Sequence, residues 1–261
     1  MRILNRCNIF TQTKLHTMSD PYAIPLRADR TYHIFNQGNN REDIFIEPRN
    51  YLYFLDKIRD HISPIAQIFA YCLLPNHFHL LVRVYSYDVL HERMPGRFLK
   101  PIFHSTYRES TQPDEAAFDD RISQILARQF SNLFSGYAQA FNKANDRKGK
   151  LFSLPFGRAL IEGQDLFTYL ICYIHRNPVH HRFCDDYGIW PYSSYQEILE
   201  KLKGDREIGT PTAQPNLIAN GSTPTSLLYL EFLELWFQKT EYFLMLHNEA
   251  KDIWDKKFFL E

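Results

Sequence analysis

Residues 71–84 read YCLLPNHFHLLVRV, an apolar run in which two histidines stand one residue apart after a proline. The apolar residues on either side of that proline predict two β-strands that meet at a turn. Because side chains alternate between the two faces of a strand, His77 and His79 are expected to share one face, with Asn76 and Phe78 on the other. Two imidazoles on one face of a strand make half of a metal site. The competing interpretation is a pair of hydrogen-bonded histidines in the core or at the surface.

The segments around this stretch predict an α+β domain. Upstream, TYHIFNQGNN (31–40) begins as a strand and ends at a Gly-Asn-Asn turn, and PRNYLYFLDKIRDHI (48–62) has its apolar residues at helical spacing. The elements predicted downstream are a long helix at 122–145, a strand pair or bent strand at 151–161, a helix at 166–177 and a short helix at 190–202. The order β-α-β-β-loop-α-β-α predicts a mainly antiparallel sheet.

The sequence also predicts how the chain is divided. The expected parts are an N-terminal extension (1–20), a main domain (21–200) with an irregular insertion or long loop at 86–120, a linker (201–226) rich in Gly, Pro, Thr and Asn, and a C-terminal helical segment (227–261). Within the main domain, Asp165 is the expected N-cap of the helix at 166–177, and Pro178 is its expected end. No function follows for the insertion or for the C-terminal parts.

Charge is balanced over the whole chain, with 30 basic and 30 acidic side chains, but it is unevenly distributed. Residues 121–182 contain nine basic and three acidic residues, a net charge of +6, whereas residues 185–261 contain seven basic and thirteen acidic residues, a net charge of −6. The middle of the chain is therefore suited to meet phosphates, unless its charges simply form solvated helix faces.

Several classes of protein are disfavoured by the composition. No run of eighteen apolar residues is present, so no membrane span is expected. The first twenty residues lack an apolar segment of the kind found in signal peptides, and Met18 is an alternative start. The four cysteines show neither CxxC spacing nor a disulfide framework, and Cys72 and Cys172 lie in apolar runs typical of buried thiols. A cytoplasmic location is expected.

The helix at 166–177 offers groups that complement the histidine pair. Tyr169, Tyr173 and Asn177 follow one another at intervals of four residues and share a helix face. An amide oxygen is a suitable ligand for Mg²⁺ or Mn²⁺, and a tyrosine one turn earlier is placed to act on a substrate held by the same ion. On spacing alone, the alternative is favoured: both tyrosines belong to the core and Asn177 caps the helix.

Three of these motifs together resemble a known family. LLPNHFHLLV (73–82), YIHRNPVHH (173–181) and WPYSSY (190–195) resemble the HUH single-tyrosine transposases, and in particular their REP-associated tyrosine transposase branch. YHIFNQGNN, FSNLFSGYAQAFN and GKLFSLPF also look like that branch, so that the resemblance spans roughly residues 30–196. Relatives often carry Arg in the YHxxNRGN turn, where this chain has Gln37.

The resemblance implies a fold and a reaction. The implied fold is α+β, a ferredoxin-like antiparallel sheet with helices on one face (the HUH endonuclease fold), here followed by a C-terminal helical extension. By the same resemblance, His77 and His79 hold a divalent metal, Mg²⁺ or Mn²⁺, and Asn177 takes the place of a third polar ligand. Tyr173 matches the catalytic nucleophile, which forms a 5′-phosphotyrosine link with DNA, and Tyr169 is the less favoured candidate.

The implied partner is single-stranded or hairpin-forming DNA, which the family nicks and rejoins; a monomer and a homodimer are both compatible with the resemblance. Covalent capture by tyrosine retains the energy of the cleaved bond for rejoining. Six basic residues are candidates for DNA phosphate contacts: Arg128, Lys143, Arg147, Lys148, Lys150 and Arg158. Two other functions stay open: a domesticated DNA-hairpin-binding protein with little cleavage activity, and a metal-dependent phosphohydrolase that uses water as its nucleophile.

Overall fold

A four-stranded antiparallel sheet organises the chain in the computed structural model, which describes residues 24–95, 115–204 and 226–249. The strands are β1 (Thr31–Gln37), β2 (Ala66–Leu74), β3 (His77–Val84) and β4 (Gly157–Ile161). Their order across the sheet is β2-β3-β1-β4, and every neighbouring pair is antiparallel. The histidine pair therefore lies at the start of a central strand of the sheet.

The helices complete the α+β fold. They are α1 (Pro48–His61), α2 (Tyr87–Arg93), α3 (Glu115–Ala144), α4 (Gln164–His180), α5 (Tyr195–Lys203), α6 (Leu230–Phe237) and α7 (Thr240–Glu249). With α1 between β1 and β2, and α3 between β3 and β4, the chain forms a βαββαβ unit whose strand order is ferredoxin-like, which confirms the predicted fold class. Within the described residues, no helix is long and apolar enough to cross a membrane.

The two helices of this unit pack on one face of the sheet through aromatic rings. Phe78 of β3 lies with its ring centroid 4.9 Å from Phe54 of α1 and 5.6 Å from Phe134 of α3. Tyr137, one turn after Phe134, also meets Phe54 at 5.0 Å. These rings are buried, so this face carries much of the apolar area that stabilises the fold.

The opposite face of the sheet is covered by α4. Strand pairing sets Phe35 opposite His79 and Gln37 opposite His77, so all four side chains lie on this face. The ring of Tyr173 from α4 contacts His79 there. The sheet is thus enclosed by the βαββαβ helices on one side and by the helix that carries the candidate tyrosine on the other.

Residues 86–120 contain more regular structure than the sequence predicts. The interpretation as an irregular insertion is wrong at both ends: Ser86 caps α2 by accepting a hydrogen bond from the Val89 amide, and α3 begins at Glu115. A polar cap residue followed by few apolar residues is a weak helix signal, which explains why α2 escapes the apolar periodicity. Residues 96–114 lie outside the described part of the chain.

The predicted limits of α4 are also wrong. Gly163, with a positive φ of 86°, is the N-cap, and Asp165 lies in the first turn. The helix passes Pro178 and ends at His180. A proline so near the end removes only one helical hydrogen bond, and the Pro178 carbonyl accepts the Phe183 amide at 2.8 Å as the chain turns away.

The cysteine prediction is confirmed for the two residues in apolar runs. Cys72 and Cys172 are free thiols with 0% and 2% of their surface exposed. Burial raises the pKa of the Cys172 thiol to about 12 and that of Cys72 well above its ordinary value. Both thiols are therefore protonated and act as small apolar groups.

The C-terminal helices pack against the main domain. Trp236 of α6 meets Phe167 of α4 at 5.0 Å between centroids, and Phe243 of α7 meets Tyr195 of α5 at 5.3 Å. The N-terminal extension and nearly all of the predicted linker lie outside the described residues, except that α5 continues to Lys203. The domain boundaries stay predictions.

A buried histidine pair fastens α7 to α4. His175 Nδ1 lies 2.8 Å from His247 Nε2, and both residues are 0% exposed. Burial is the main reason that the pKa of His247 falls to about 3 and that of His175 falls well below its ordinary value. The guanidinium of Arg176, which donates to the His247 carbonyl oxygen, lowers the pKa of His247 further. Both imidazoles are therefore neutral in the folded protein.

This pair predicts a loss of stability in mild acid. In the unfolded chain both imidazoles titrate near about pH 6.5. Below that pH the unfolded state binds protons that the folded state does not, so the free energy of unfolding falls by up to about 1.4 kcal/mol per pH unit for each histidine. Above about pH 7.5 the pair no longer makes the free energy of unfolding depend on pH.

Urea unfolding of the wild type and His247→Gln between about pH 5 and 8 measures this effect. Glutamine does not titrate, so the variant is expected to lose less stability than the wild type as the pH falls. Equal pH slopes for the two proteins would show that His247 is not the group responsible.

Candidate active site

His77 and His79 open β3 and face α4. Their ring centroids are 5.2 Å apart with the rings nearly perpendicular, and the side chains are 8% and 1% exposed, respectively. The central position of β3 holds their backbone by pairing on both sides, with β1 and with β2. The prediction that the two histidines share one face is confirmed. His79 pairs with Phe35 and His77 with Gln37, while Phe78 between them pairs with Asn36 on the other face.

Each histidine is oriented by a polar neighbour at Nδ1. His77 Nδ1 lies 2.7 Å from Asn76 Oδ1, and His79 Nδ1 lies 2.9 Å from His33 Nε2. An amide oxygen can only accept, so His77 carries its proton on Nδ1 when neutral and presents Nε2 as its basic nitrogen. Neighbours that fix ring orientation in this way are characteristic of metal-binding histidines.

The position of Asn76 differs from the prediction. It was expected on the sheet face opposite His77, but β3 begins at His77 and Asn76 belongs to the turn before it. Its carbonyl oxygen accepts the Gly38 amide at 2.8 Å, which ties this turn to the one that follows β1. Strand alternation does not apply to a turn residue, so the Asn76 amide is able to reach the neighbouring imidazole.

Tyr173 brings a phenol to the histidines from α4. Its ring centroid is 5.6 Å from His79 and 6.0 Å from His33, edge-on in both cases. Tyr169 stacks on Tyr173 at 6.3 Å, one turn away from these contacts. Tyr173 is 4% exposed, so only a small part of its surface is open to solvent.

Asn177 and His181 continue the same face of α4. The His181 ring lies 4.5 Å from His77, and Tyr173 meets His79, so Asn177, halfway between them at intervals of four residues, faces the same part of the sheet. Asn177 is fully buried, and its Nδ2 donates to the Tyr173 carbonyl at 3.4 Å. Its Oδ1 has no hydrogen-bond partner. A buried carbonyl oxygen without a donor is costly unless a cation satisfies it.

Two imidazoles and one amide oxygen are donor types that divalent cations accept. Among the described residues, no group of three or more His, Cys, Asp or Glu side chains is arranged to hold a metal ion. The histidine pair therefore needs a ligand of another type, and the Asn177 amide oxygen is a buried acceptor of that kind. Imidazole nitrogen with amide oxygen suits Mn²⁺, and also Mg²⁺ when water completes the shell.

A cavity of about 200 Å³ adjoins the histidines at this end of the sheet. Its lining residues are Phe35, Asn36, Gln37, Arg41, Asn76, His77, Phe78, His79, Ser153, Pro155, Gly157 and His181. Arg41 is exposed and forms no ion pair with any described residue. The cavity thus combines a cation, amide groups and aromatic surface beside the two imidazoles.

The basic residues predicted to contact DNA lie at different distances from the cavity. Lys143, Lys148 and Lys150 are exposed at the end of α3 and in the turn that leads to the cavity residue Ser153. Arg128 is exposed farther back along α3. Arg158 pairs in register with Ile34, so it lies on the sheet face opposite the histidines, above the Phe156 ring at 5.1 Å.

Arg147 has a structural role. Its Nε donates to Glu42 Oε2 at 3.1 Å and its guanidinium also donates to the Lys150 carbonyl oxygen at 3.1 Å. These bonds join the turn after α3 to the turn after β1. A guanidinium held in this way is less available to a phosphate than the neighbouring lysines are.

Sequence reasoning missed His33, Asn76, Arg41 and His181. His33 stands two residues before Phe35 and shares its face of β1. That this face also bears His79 follows only from the pairing of β1 with β3. His181 extends the interval of four that joins Tyr173 and Asn177, but the expected stop at Pro178 hid it. Asn76 and Arg41 sit in turns, where periodicity gives no signal.

Comparisons with known proteins find similarity to solved structures alone. No protein-family model and no curated protein matches the chain. Among solved structures, the chain is similar to a REP-associated tyrosine transposase bound to a REP hairpin, at 16% sequence identity and a TM-score of 0.42. The alignment covers 80% of this chain and 100% of that one.

Gly157 beside the cavity and Gly136 in α3 are expected to respond oppositely to substitution by alanine. The Phe35 ring lies directly over Gly157, its cross-strand neighbour, where a Cβ would collide with it. Gly157→Ala is therefore expected to destabilise the protein by about 1–3 kcal/mol and to disturb Phe35. Gly136 in α3 has nothing within 4 Å of an added Cβ, so Gly136→Ala is expected to stabilise the helix by about 0.5–1 kcal/mol.

Chemical denaturation of both variants measures whether the free energy of unfolding falls for Gly157→Ala and rises for Gly136→Ala. Near-UV circular dichroism, which reports aromatic packing, is expected to change for Gly157→Ala and to stay constant for Gly136→Ala. A neutral or stabilising Gly157→Ala would mean that Phe35 does not pack on Gly157.

Proposed function

We propose that the chain is a metal-dependent enzyme that nicks and rejoins single-stranded, hairpin-forming DNA through a covalent link to Tyr173. The observation that carries this proposal is the contact of one tyrosine ring with His79 and His33 on the face of the sheet that also bears His77. A phenol beside paired imidazoles is suited to phosphoryl transfer. The sequence motifs that resemble single-tyrosine transposases contain all of these residues. They did not indicate that His33 contacts His79.

The proposed step conserves the phosphodiester energy. The Tyr173 oxygen attacks the phosphorus, the bond from phosphorus to the 3′ oxygen breaks, and the 5′ phosphate stays esterified to tyrosine while a 3′ hydroxyl is released. Attack by a 3′ hydroxyl on the phosphotyrosine reverses the bonds and rejoins a strand. The phenol loses its proton on attack, because neutral phenol is a weak nucleophile, and the leaving 3′ oxygen gains a proton, so that no net proton is produced.

His77, His79 and Asn177 are the residues that would hold a divalent metal, Mg²⁺ or Mn²⁺. When bound, such an ion polarises the scissile phosphate and offsets the charge that develops on its oxygens. The protein's own contribution is to fix the two imidazoles through Asn76 and His33. The helix α4 presents Tyr173 and Asn177 to them on one face.

The cavity beside the histidines is the proposed path of the DNA strand. Arg41, Lys148 and Lys150 are exposed on the two turns that border it, where they are suited to contact phosphates. Phe35 lines the cavity and offers an aromatic surface to an unpaired base. Arg128 and Arg158 are proposed as more distant contacts, because they lie on α3 and on the opposite sheet face.

Covalent capture tests the nucleophile. The full chain is incubated with Mn²⁺ and a labelled single-stranded oligonucleotide that contains a hairpin, and adducts that resist denaturation are resolved by electrophoresis. Tyr173→Phe is expected to form no adduct, since it lacks the attacking oxygen, while it retains DNA affinity within about twofold, given that the ring stays in place. Tyr169→Phe, its stacked neighbour, is the matched control and is expected to react like the wild type.

The other outcomes distinguish the alternatives. Cleavage without an adduct in the wild type would indicate a phosphohydrolase that uses water. Binding without cleavage would indicate a hairpin-binding protein. An adduct that persists in Tyr173→Phe would refute the proposed nucleophile.

Metal binding tests the ligand set separately from the reaction. Titration calorimetry with Mn²⁺ alone is expected to show one site in the wild type and none in His79→Ala. His33→Ala, which removes the partner of His79 Nδ1, is expected to weaken Mn²⁺ binding by about 10–100-fold. His61→Ala, in the last turn of α1, is the control and is expected to leave the affinity unchanged. Equal affinities for His33→Ala and His61→Ala would overturn the orienting role of His33.

A further inference from the structure

His247 of α7 makes polar contacts with three residues of α4. His247 Nε2 lies 2.8 Å from His175 Nδ1, its carbonyl oxygen accepts from Arg176 at 3.0 Å, and its Nδ1 lies 3.7 Å from the Cys172 sulfur. These three partners are on α4 and lie within three residues of Tyr173. Every one of these side chains is at most 6% exposed.

The contacts of His247 and His175 determine which nitrogen of each ring donates and which accepts. Its Nδ1 lies 2.8 Å from the Phe243 carbonyl oxygen, which can only accept, so Nδ1 carries the proton and Nε2 accepts. His175 must then donate from Nδ1, and its Nε2 accepts from the Ser194 hydroxyl at 2.8 Å. Each imidazole is satisfied as donor and acceptor only in this arrangement, which fixes both ring orientations.

Ser194 connects the chain of bonds to the sheet. Its hydroxyl oxygen accepts the Tyr71 amide of β2 at 2.9 Å, and its own amide donates to the Tyr71 carbonyl at 3.0 Å. A serine, a histidine and a second histidine in series resemble a hydrolytic relay. Here Ser194, His175 and His247 are all fully buried, so no substrate reaches the serine. The series is therefore a structural brace between β2, α4 and α7.

We infer that His175 and His247 are positioning residues for Tyr173, which act by fixing the rotation of α4 above the histidine face. This inference rests on the proposed function, because it takes Tyr173 as the nucleophile. Tyr173 and His175 are two residues apart and so point to nearly opposite sides of α4. A rotation of the helix on one side must therefore move the phenol on the other.

The brace assigns a role to the C-terminal helices. A nucleophile must meet the phosphorus at a defined distance and angle, and a fixed Cα limits the positions that the phenol of Tyr173 takes. Displacement of reacting atoms by about 1 Å costs on the order of 100-fold in rate. Removal of His247 is thus expected to lower the rate of covalent attack at saturating DNA by about 10–100-fold, with DNA affinity unchanged within about twofold.

The test compares three variants of the full chain with the wild type. His247→Ala removes the brace at α7, and Ser194→Ala removes the hydroxyl that joins His175 to the Tyr71 amide of β2. His247→Gln restores an acceptor for His175 and is expected to recover most of the rate. Met245→Ala, also in α7 and 43% exposed, is the control.

Two measurements are made on each protein at about pH 8, where His175 and His247 are neutral. Hydrogen–deuterium exchange of the α4 amides reports the brace without any reaction. Single-turnover adduct formation with labelled hairpin DNA and Mn²⁺ reports the position of the phenol. Faster exchange in α4, together with slower adduct formation in His247→Ala and Ser194→Ala and recovery in His247→Gln, supports the inference.

The contrary results are distinct. Unchanged α4 exchange in both His247→Ala and Ser194→Ala overturns the brace itself, whatever the activity. Faster exchange with an unchanged adduct rate shows that the brace is purely structural and overturns the positioning role. A wild type that forms no adduct refutes the proposed function, and with it the positioning of a nucleophile, although the exchange result still decides whether α4 is braced.

Discussion

The pairing register between β1 and β3 is the constraint on which the candidate site depends. It sets Phe35 opposite His79 and Gln37 opposite His77, so that His33, two residues before Phe35, reaches the His79 ring. A slip of one residue in either strand would send its side chains to the aromatic core on the other face. The Phe78 ring on that face, packed against Phe54 and Phe134, therefore contributes to the site indirectly, because its burial makes any other register costly.

The helix α4 is the second component, and its two sides have different roles. One side presents Tyr173 and Asn177 to the histidines, and the other side is held by His247 through neutral, fully satisfied imidazoles. A helix buried on both sides has little freedom to roll, which suits a group that must meet a phosphate with the correct geometry. The described C-terminal helices α6 and α7 contact α4, and this contact is the basis for the inference that they support the site.

Much of this arrangement follows from the sequence, and the reasons differ by residue. Strand alternation was enough for His77 and His79, and helical spacing was enough to group Tyr173 with Asn177. His33 and His247 were not predictable in the same way, since each acts across a contact between segments that are distant in the chain. The position of Asn76 was misjudged because a turn residue follows local hydrogen bonds rather than strand alternation. The end of α4 was placed too early because a proline near a C-terminus removes only one helical bond.

The central claim is that Tyr173 becomes bonded to DNA. Digestion of the protein after reaction with hairpin DNA and Mn²⁺, followed by mass spectrometry of the nucleotide-linked peptide, identifies the modified residue directly. The account predicts a single site, with the 5′ phosphate on Tyr173 and a free 3′ hydroxyl on the released strand. Modification of Tyr169 or of any other residue, or cleaved DNA with no linked peptide, would contradict it.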